Sequence, residues 1–311
     1  MFLFIVKRLL YMIPILLGVT LITFILFNVV GGNPAYQHAG KNASAETIRE
    51  LEAELGIDRP LPDQYLFYLN QIATFDYGRS WATRQAISTM ILDGIGASLC
   101  LTFPPFVISI LLSISIALWT ARKRGTMWDR GMLIFCLAGM SISSLVYIIF
   151  GQYVLAYLLG WFPISGWETG WVERWQYLFL PWIIWIVVSI GSSILFYRTL
   201  FIEEMFQDYV RTARAKGLDD NTVYFTHILK NAMIPIITLV VMELPSLLAG
   251  SLLLEAFFAI PGIGGLLIKA LQGSDFPVIK AMTFIGTVLY ISANILSDIC
   301  YALVDPRIKL K

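Results

Sequence analysis

The chain has 311 residues, of which 58% are hydrophobic and only 14% charged, far too apolar for a soluble domain of that size. A net charge of +1 supplies no global field for nucleic acid. Cys100, Cys136 and Cys300 sit inside apolar runs as small hydrophobes, and His38 and His227 have no companion at ligand spacing. Neither a disulfide framework nor a metal site is expected.

Lys7 and Arg8 precede an apolar run from Leu9 to Val30, about 22 residues and enough to cross a hydrocarbon core of about 30 Å. A cleaved signal peptide competes for this stretch, but its apolar region spans about 7–15 residues. This run is longer and leads into Gly31-Gly32-Asn33-Pro34, so it reads as an uncleaved first span over residues 1–30. The polar segment 31–94 follows. Ser44 is placed to cap a helix running to about Leu55, with Gly56 ending it and Ile48, Leu51 and Leu55 forming its apolar stripe. Pro60 and Pro62 lead into Gln64–Ile72, then an Asp76-Tyr77-Gly78-Arg79-Ser80 turn. With little aliphatic content the segment is marginal alone, and it is expected to be a small helical cap packed on the membrane part.

Five more apolar runs follow within residues 95–311: about Ala97–Thr120, Gly131–Leu159, Tyr177–Tyr197, Met233–Leu254 and Ala281–Val304. The expected fold is all-α with six membrane spans, kinked at Pro104-Pro105, Pro181 and Pro245. Six spans place both termini on one side. With the N-terminus inside, the inner segments hold fourteen Lys and Arg against seven acids, and the outer segments eight against twelve. That excess orients both termini to the cytoplasm.

Glu203–Pro235 is the longest polar interval between apolar runs in the C-terminal half. It has the punctuation of two short helices joined by a sharp turn. Gly217 suits a left-handed C′ position, Arg211, Arg214 and Lys216 complement the preceding helix's dipole, and Asp219 or Asp220 can cap the next helix. Val210, Ala213 and Gly217 make a small-residue stripe that another surface could approach closely. A polar linker between two spans is the plainer reading of the same residues. Beyond it, Pro261 with Gly262, Gly264 and Gly265 breaks the apolar stretch Glu255–Lys280, as short re-entrant helices lining a cavity would. GIGGLL lacks the third glycine and the preceding strand of a dinucleotide loop.

Catalytic signatures are missing. The sequence contains no G-x-x-x-x-G-K-[ST], G-x-S-x-G, H-E-x-x-H or Cys-x-x-Cys, so no ATP-binding P-loop, hydrolase or redox site is expected, and no cofactor. Within the spans only Glu243 and Asp298 are ionisable. Glu243 lies mid-span, where a charge costs about 2.5–3.5 kcal/mol. It either faces a translocation path or partner helix, or sits protonated or hydrogen-bonded at a helix–helix contact. Asp298 is close enough to the inner end to snorkel or pair with an Arg. Trp161, Trp167, Trp171 and Trp175 cluster as an interfacial belt, with a substrate cage as the sharper alternative.

In order along nearly the whole chain, five segments carry a resemblance: RLLYMIPILLGVTLITFILFNVVGGNP, ELGIDRPLPDQYLFYL with FDYGRS, DYVRTARAKGLDD with HILKNAMIP, GSLLLEAFFAIPGIGG, and YALVDPRIKL. Together they resemble the inner-membrane permeases of bacterial ABC importers of the oligopeptide, dipeptide and nickel group. The resemblance implies a type I ABC importer permease fold in the bacterial inner membrane. It implies a second homologous permease, two ABC ATPase subunits and a periplasmic substrate-binding protein as partners. It also implies that the chain is no enzyme itself. In that family a cytoplasmic loop carries the EAA motif, whose short coupling helix docks on the ATPase. By position the motif's Glu corresponds to Arg211, its second Ala to Ala213 and its Gly to Gly217. The proline falls at Lys230, with Pro235 downstream, departures that the peptide subgroup shares. Tyr209, Val210, Arg211, Ala213, Arg214, Ala215, Gly217, Leu218 and Asp219 are the coupling residues so implied. Peptides are the expected substrate, with nickel chelates or glutathione and a proton-coupled carrier as alternatives.

Overall fold

A computed structural model describes residues 2–30, 35, 44–55, 57–168 and 170–304. Gly56 lies outside the described residues, as do the side chains of Asp298, Cys300 and Trp171. Five described helices are long and apolar enough to cross a membrane. They are α1 (Phe2–Ile25, continued by a π turn, Leu26–Val30), α4 (Ile87–Arg122), α7 (Trp171–Met205), α9 (Leu229–Ala249) and α12 (Phe276–Val304). The sixth span is a broken one. α5 (Met127–Met140) and α6 (Ser144–Gly151), with its π extension Gln152–Leu158, meet at 87°. The expected all-α, six-span architecture is therefore present.

Proline does not make that break. α4, α7 and α9 continue through Pro104, Pro105, Pro181, Pro235 and Pro245. The corner falls instead at two serines that offer the backbone local hydrogen bonds in place of the helical ladder. Ser141 Oγ donates to the Leu137 carbonyl at 2.8 Å, and Ser143 Oγ accepts from Leu145 N–H at 3.4 Å. The Tyr147 hydroxyl then reaches back across the corner to the Gly139 carbonyl at 2.9 Å.

α4 and α7 pack against each other more extensively than any other pair. Trp182 Nε1–H donates to the Cys100 carbonyl at 3.1 Å and Ser189 Oγ to Ser109 Oγ at 3.2 Å. With 36 residues, α4 is about 54 Å long. It therefore outruns a hydrocarbon core of about 30 Å and holds a different assembly at each end.

At its Ile87 end sits α3 (Leu61–Ala73) with the turn after it, and α2 (Ala45–Leu55) precedes α3. Tyr68 and Ile72 of α3 are buried against Phe24 and Phe284. The turn after α3 is pinned to the loop before α12. Buried Asp275 accepts from Ser80 Oγ, from Trp81 N–H at 3.1 Å and from Ala82 N–H at 3.3 Å. A buried carboxylate is tolerable because donors surround it.

At the Arg122 end, Asp129 at the start of α5 accepts Arg198 Nε–H at 2.7 Å and Nη2–H at 2.8 Å. It also accepts Gly125 N–H at 2.9 Å. This bidentate pair fixes the short loop between α4 and α5 to α7. Large apolar side chains along the helices, such as Leu111, Ile134, Phe135 and Phe150, stay more than 60% exposed. That surface is stable in lipid and untenable in water.

Candidate functional site

The stretch between α7 and α9 is ordered by its own capping chemistry. Helix α8 (Asp208–Ala215) ends at Gly217, whose φ of +78° is left-handed. Gly217 N–H donates to the Arg214 carbonyl at 2.9 Å and Leu218 N–H to the Ala213 carbonyl at 3.3 Å. These are the two bonds of a Schellman motif. Of the two candidate caps, Asp219 does the work: its carboxylate accepts Asn221 N–H at 3.1 Å. The chain then runs through Asp220–Thr222 and a π segment, Val223–Ile228, directly into α9.

Two expectations need correcting here. The second helix is not short, because nothing after Asp220 stops it. Tyr224, Ile228, Ala232 and Ile236 are all buried at steps of four residues, longer than the 3.6 of an α-helix, and the wider π turn takes up part of the drift. The stripe of Val210, Ala213 and Gly217 is also not an open face. Val210 and Ala213 are packed into the chain's own core with Phe201, Val223, Tyr224 and Ile228. Gly217 alone of the three is exposed. The side turned outward includes Arg211, Arg214, Ala215, Lys216, Leu218 and Asp219.

Polar contacts hold α8 against the spans. The Tyr209 hydroxyl donates to Glu204 at the end of α7. Burial, and then that carboxylate, push the Tyr209 hydroxyl up to about 12, so it stays a donor at physiological pH. The Arg122 guanidinium lies 4.9 Å from the Tyr224 ring centre and Arg124 5.0 Å from Phe206, which joins the end of α4 to both sides of α8. The ion pairs Arg211–Asp208 and Arg214–Asp220 are exposed and long, at 3.4 and 3.9 Å, and add little.

Glu243 is exposed on α9, with no hydrogen bond or ion pair for its carboxylate among the described residues. Among the described residues it is therefore not a hydrogen-bonded helix–helix contact. Three of the four tryptophans differ in burial. Trp161 and Trp175 are exposed, while Trp167 packs inward beneath the Arg174 guanidinium at 4.4 Å. Among the described residues no three metal-ligating side chains converge.

Sequence reasoning missed Glu255, on α10 (Leu252–Phe258). It is 1% exposed. Its carboxylate accepts Ser98 Oγ–H at 2.8 Å, Ser251 N–H at 3.2 Å and Gly265 N–H at 2.8 Å. Ser98 Oγ in turn accepts Ile263 N–H at 2.8 Å. Gly262 and Gly264 give the carboxylate its room, since a Cβ at either would crowd it. Glu255 thus fastens α4 to the 84° corner between α10 and α11 (Ile263–Gln272), the broken segment expected from Pro261. The available signal was Glu255 itself, a lone acid in an apolar run six residues before Pro261.

Residues 113–310 match the family described as binding-protein-dependent transport system inner membrane component. Residues 1–102 match that family's N-terminal component. The chain belongs to that family. Similar proteins include the oligopeptide transport system permease of Bacillus subtilis, 32% identical with 98% of this chain and 99% of that one covered. The dipeptide transport system permease of Alkalihalophilus pseudofirmus is 31% identical, with 97% and 98% covered. A glutathione transport system permease of Salmonella choleraesuis is 31% identical, with 99% of each chain covered. The protein is thus a multi-pass inner-membrane permease of an ABC importer, with the type I permease fold. It works with other transporter subunits and is not itself an enzyme.

Proposed function

We propose that this permease imports peptides across the inner membrane, driven by ATP that a separate subunit hydrolyses. The relatives' names support the substrate class: oligopeptides, dipeptides and glutathione are all peptides. The Lys and Arg distribution supports placing both termini and Glu203–Pro235 in the cytoplasm, with residues 31–94 as an outer cap on the membrane core of residues 95–311. A second homologous permease completes the path, a periplasmic binding protein delivers the peptide to the outer side, and two ATPase subunits bind on the inner side.

One observation carries this reading: α8 presents a charged outer face while its inner face is locked into the transmembrane core. Arg211, Arg214, Ala215, Leu218 and Asp219 contact the ATPase. Val210, Ala213 and Tyr209 pass the displacement to α7 and α9, because close-packed side chains move together and not past one another. Gly217 fixes the angle at which the loop leaves the helix. ATP-driven closure of the ATPases then moves α7 and α9 as a unit and rocks the paired permeases between inward- and outward-facing states.

Proteoliposomes holding both permeases, the ATPases and the loaded binding protein accumulate peptide on ATP addition and not under a proton gradient alone. In the same vesicles Glu243→Gln keeps assembly intact and lowers uptake about ten-fold, since the exposed carboxylate faces the path or the second permease. Uptake driven by the proton gradient, or unchanged uptake with Glu243→Gln, contradicts the corresponding claim.

A further inference from the structure

A cavity of about 230 Å³ opens between α3, the turn after it, the π turn of α1 and the first turns of α12. It lies at the Ile87 end of α4, the opposite end from α8. Among the described residues its lining holds Arg59, Arg79 and Lys280, and neither an Asp nor a Glu. Among the described residues none of these three cations has an ion-pair partner. Three cations lining one concavity repel one another, and an arrangement that gathers them without a carboxylate is electrostatically incomplete.

The geometry is fixed in advance. Lys280 Nζ donates to Asn28 Oδ1 at 3.2 Å and lies 5.2 Å from the Tyr68 ring centre, which leaves donor capacity on the ammonium. Asn28 is oriented by donating to Gln64 Oε1 at 2.7 Å, and Gln64 by donating to the Arg59 and Ile57 carbonyls at 2.7 and 3.1 Å. The Tyr68 hydroxyl closes the ring by donating to the Lys280 carbonyl at 3.4 Å. Asn28 sits in the π turn Leu26–Val30, a distortion that recurs at functional sites. Gln71 and Tyr77 add neutral donors to the wall, and burial pushes the Tyr77 hydroxyl up, so it donates throughout the neutral range.

We infer that this cavity binds a small carboxylate, with Lys280, Arg59 and Arg79 neutralising the anion. Pockets for drug-sized ligands run to about 300–1,000 Å³, so this one suits an anion no larger than an amino acid or dipeptide. Taking a peptide as that anion rests on the proposed function; the site itself rests on the cavity and its charges. A free peptide and an acidic side chain of a docking protein offer the same group, and the site is assigned to the free ligand.

The test is calorimetric titration of the full-length chain in nanodiscs at low salt, with dialanine and with dialaninamide as probes. Dialanine binds, the amide binds at least ten-fold more weakly, and Lys280→Gln and Arg59→Gln each weaken dialanine binding about ten-fold. Arg59 is exposed, so Arg59→Gln keeps the fold and decides the matter if Lys280→Gln does not. No heat with dialanine, equal affinity for the amide, or unchanged binding in Arg59→Gln overturns the inference. These titrations contain neither ATPase nor binding protein, so failure of ATP-driven uptake would leave their result standing.

Discussion

Replacing Gly217 with Val uncouples transport from ATP hydrolysis while leaving the permease inserted and folded. The residue holds φ at +78°, and a Cβ built there meets nothing within 4 Å. The cost is therefore one of backbone conformation alone. A left-handed L-residue is disfavoured by about 1–2 kcal/mol, most severely when β-branched. To escape that strain the turn must give up the bonds from Gly217 and Leu218 to the Arg214 and Ala213 carbonyls. Leu218 and Asp219 then leave their positions. Because about 1.36 kcal/mol corresponds to a factor of ten, substrate-stimulated ATPase activity of the complex falls about ten-fold or more. Gly217→Asn, which tolerates the left-handed region, keeps most of it. Normal stimulation in Gly217→Val at normal membrane levels would show that the turn's geometry plays no part in coupling.

The largest loss of stability is expected at Glu255. Three donors converge on its two carboxylate oxygens. Glu255→Ala strands all three, at about 1–3 kcal/mol for each buried group left unsatisfied, less whatever relaxation recovers. Glu255→Gln keeps the shape but turns an NH₂ toward a donor in either orientation: toward Gly265 N–H one way, toward Ser251 N–H the other. Thermal unfolding in detergent should rank wild type above Gln above Ala. With about 2–4 °C per kcal/mol for domains near this size, Ala loses about 10 °C. Gly262→Ala, whose Cβ overlaps the Glu255 carboxylate, falls with them. Equal melting of Glu255→Ala and wild type would remove Glu255 as the fastening between α4 and the α10–α11 corner.

Local signals with a single physical cause were legible in the sequence. The left-handed turn at Gly217 follows from glycine after a basic helix end, and the spans follow from uninterrupted apolar length. The broken segment around Pro261 follows from proline and glycine in an apolar run. Features set by tertiary contact were hidden. Val210 and Ala213 read as an open stripe because periodicity identifies a face but not what covers it; residues of α9's approach, Val223, Tyr224 and Ile228, take that place. The right-angled corner at Ser141–Ser143 was masked by the apolar residues on both sides, which give one continuous hydropathy run. Glu255 and Asp275 each depend on donors from positions more than 150 residues earlier, Ser98 and Ser80 respectively. Lys280 and Asn28 are separated by 252 residues, so the cationic cavity has no local signature at all.

That α8 and the turn after it form the contact with the ATPase is tested most directly by cross-linking in membranes containing the assembled transporter. Single cysteines are placed at Leu218, on the outward side, and at Val210, on the inward side, in a chain whose Cys100, Cys136 and Cys300 are replaced by Ala or Ser. Leu218→Cys should join the ATPase subunit through a short bifunctional thiol reagent, with a yield that changes when ATP is bound. Val210→Cys should give no such product. A Leu218→Cys variant that remains transport-active yet never cross-links to the ATPase would contradict the assignment.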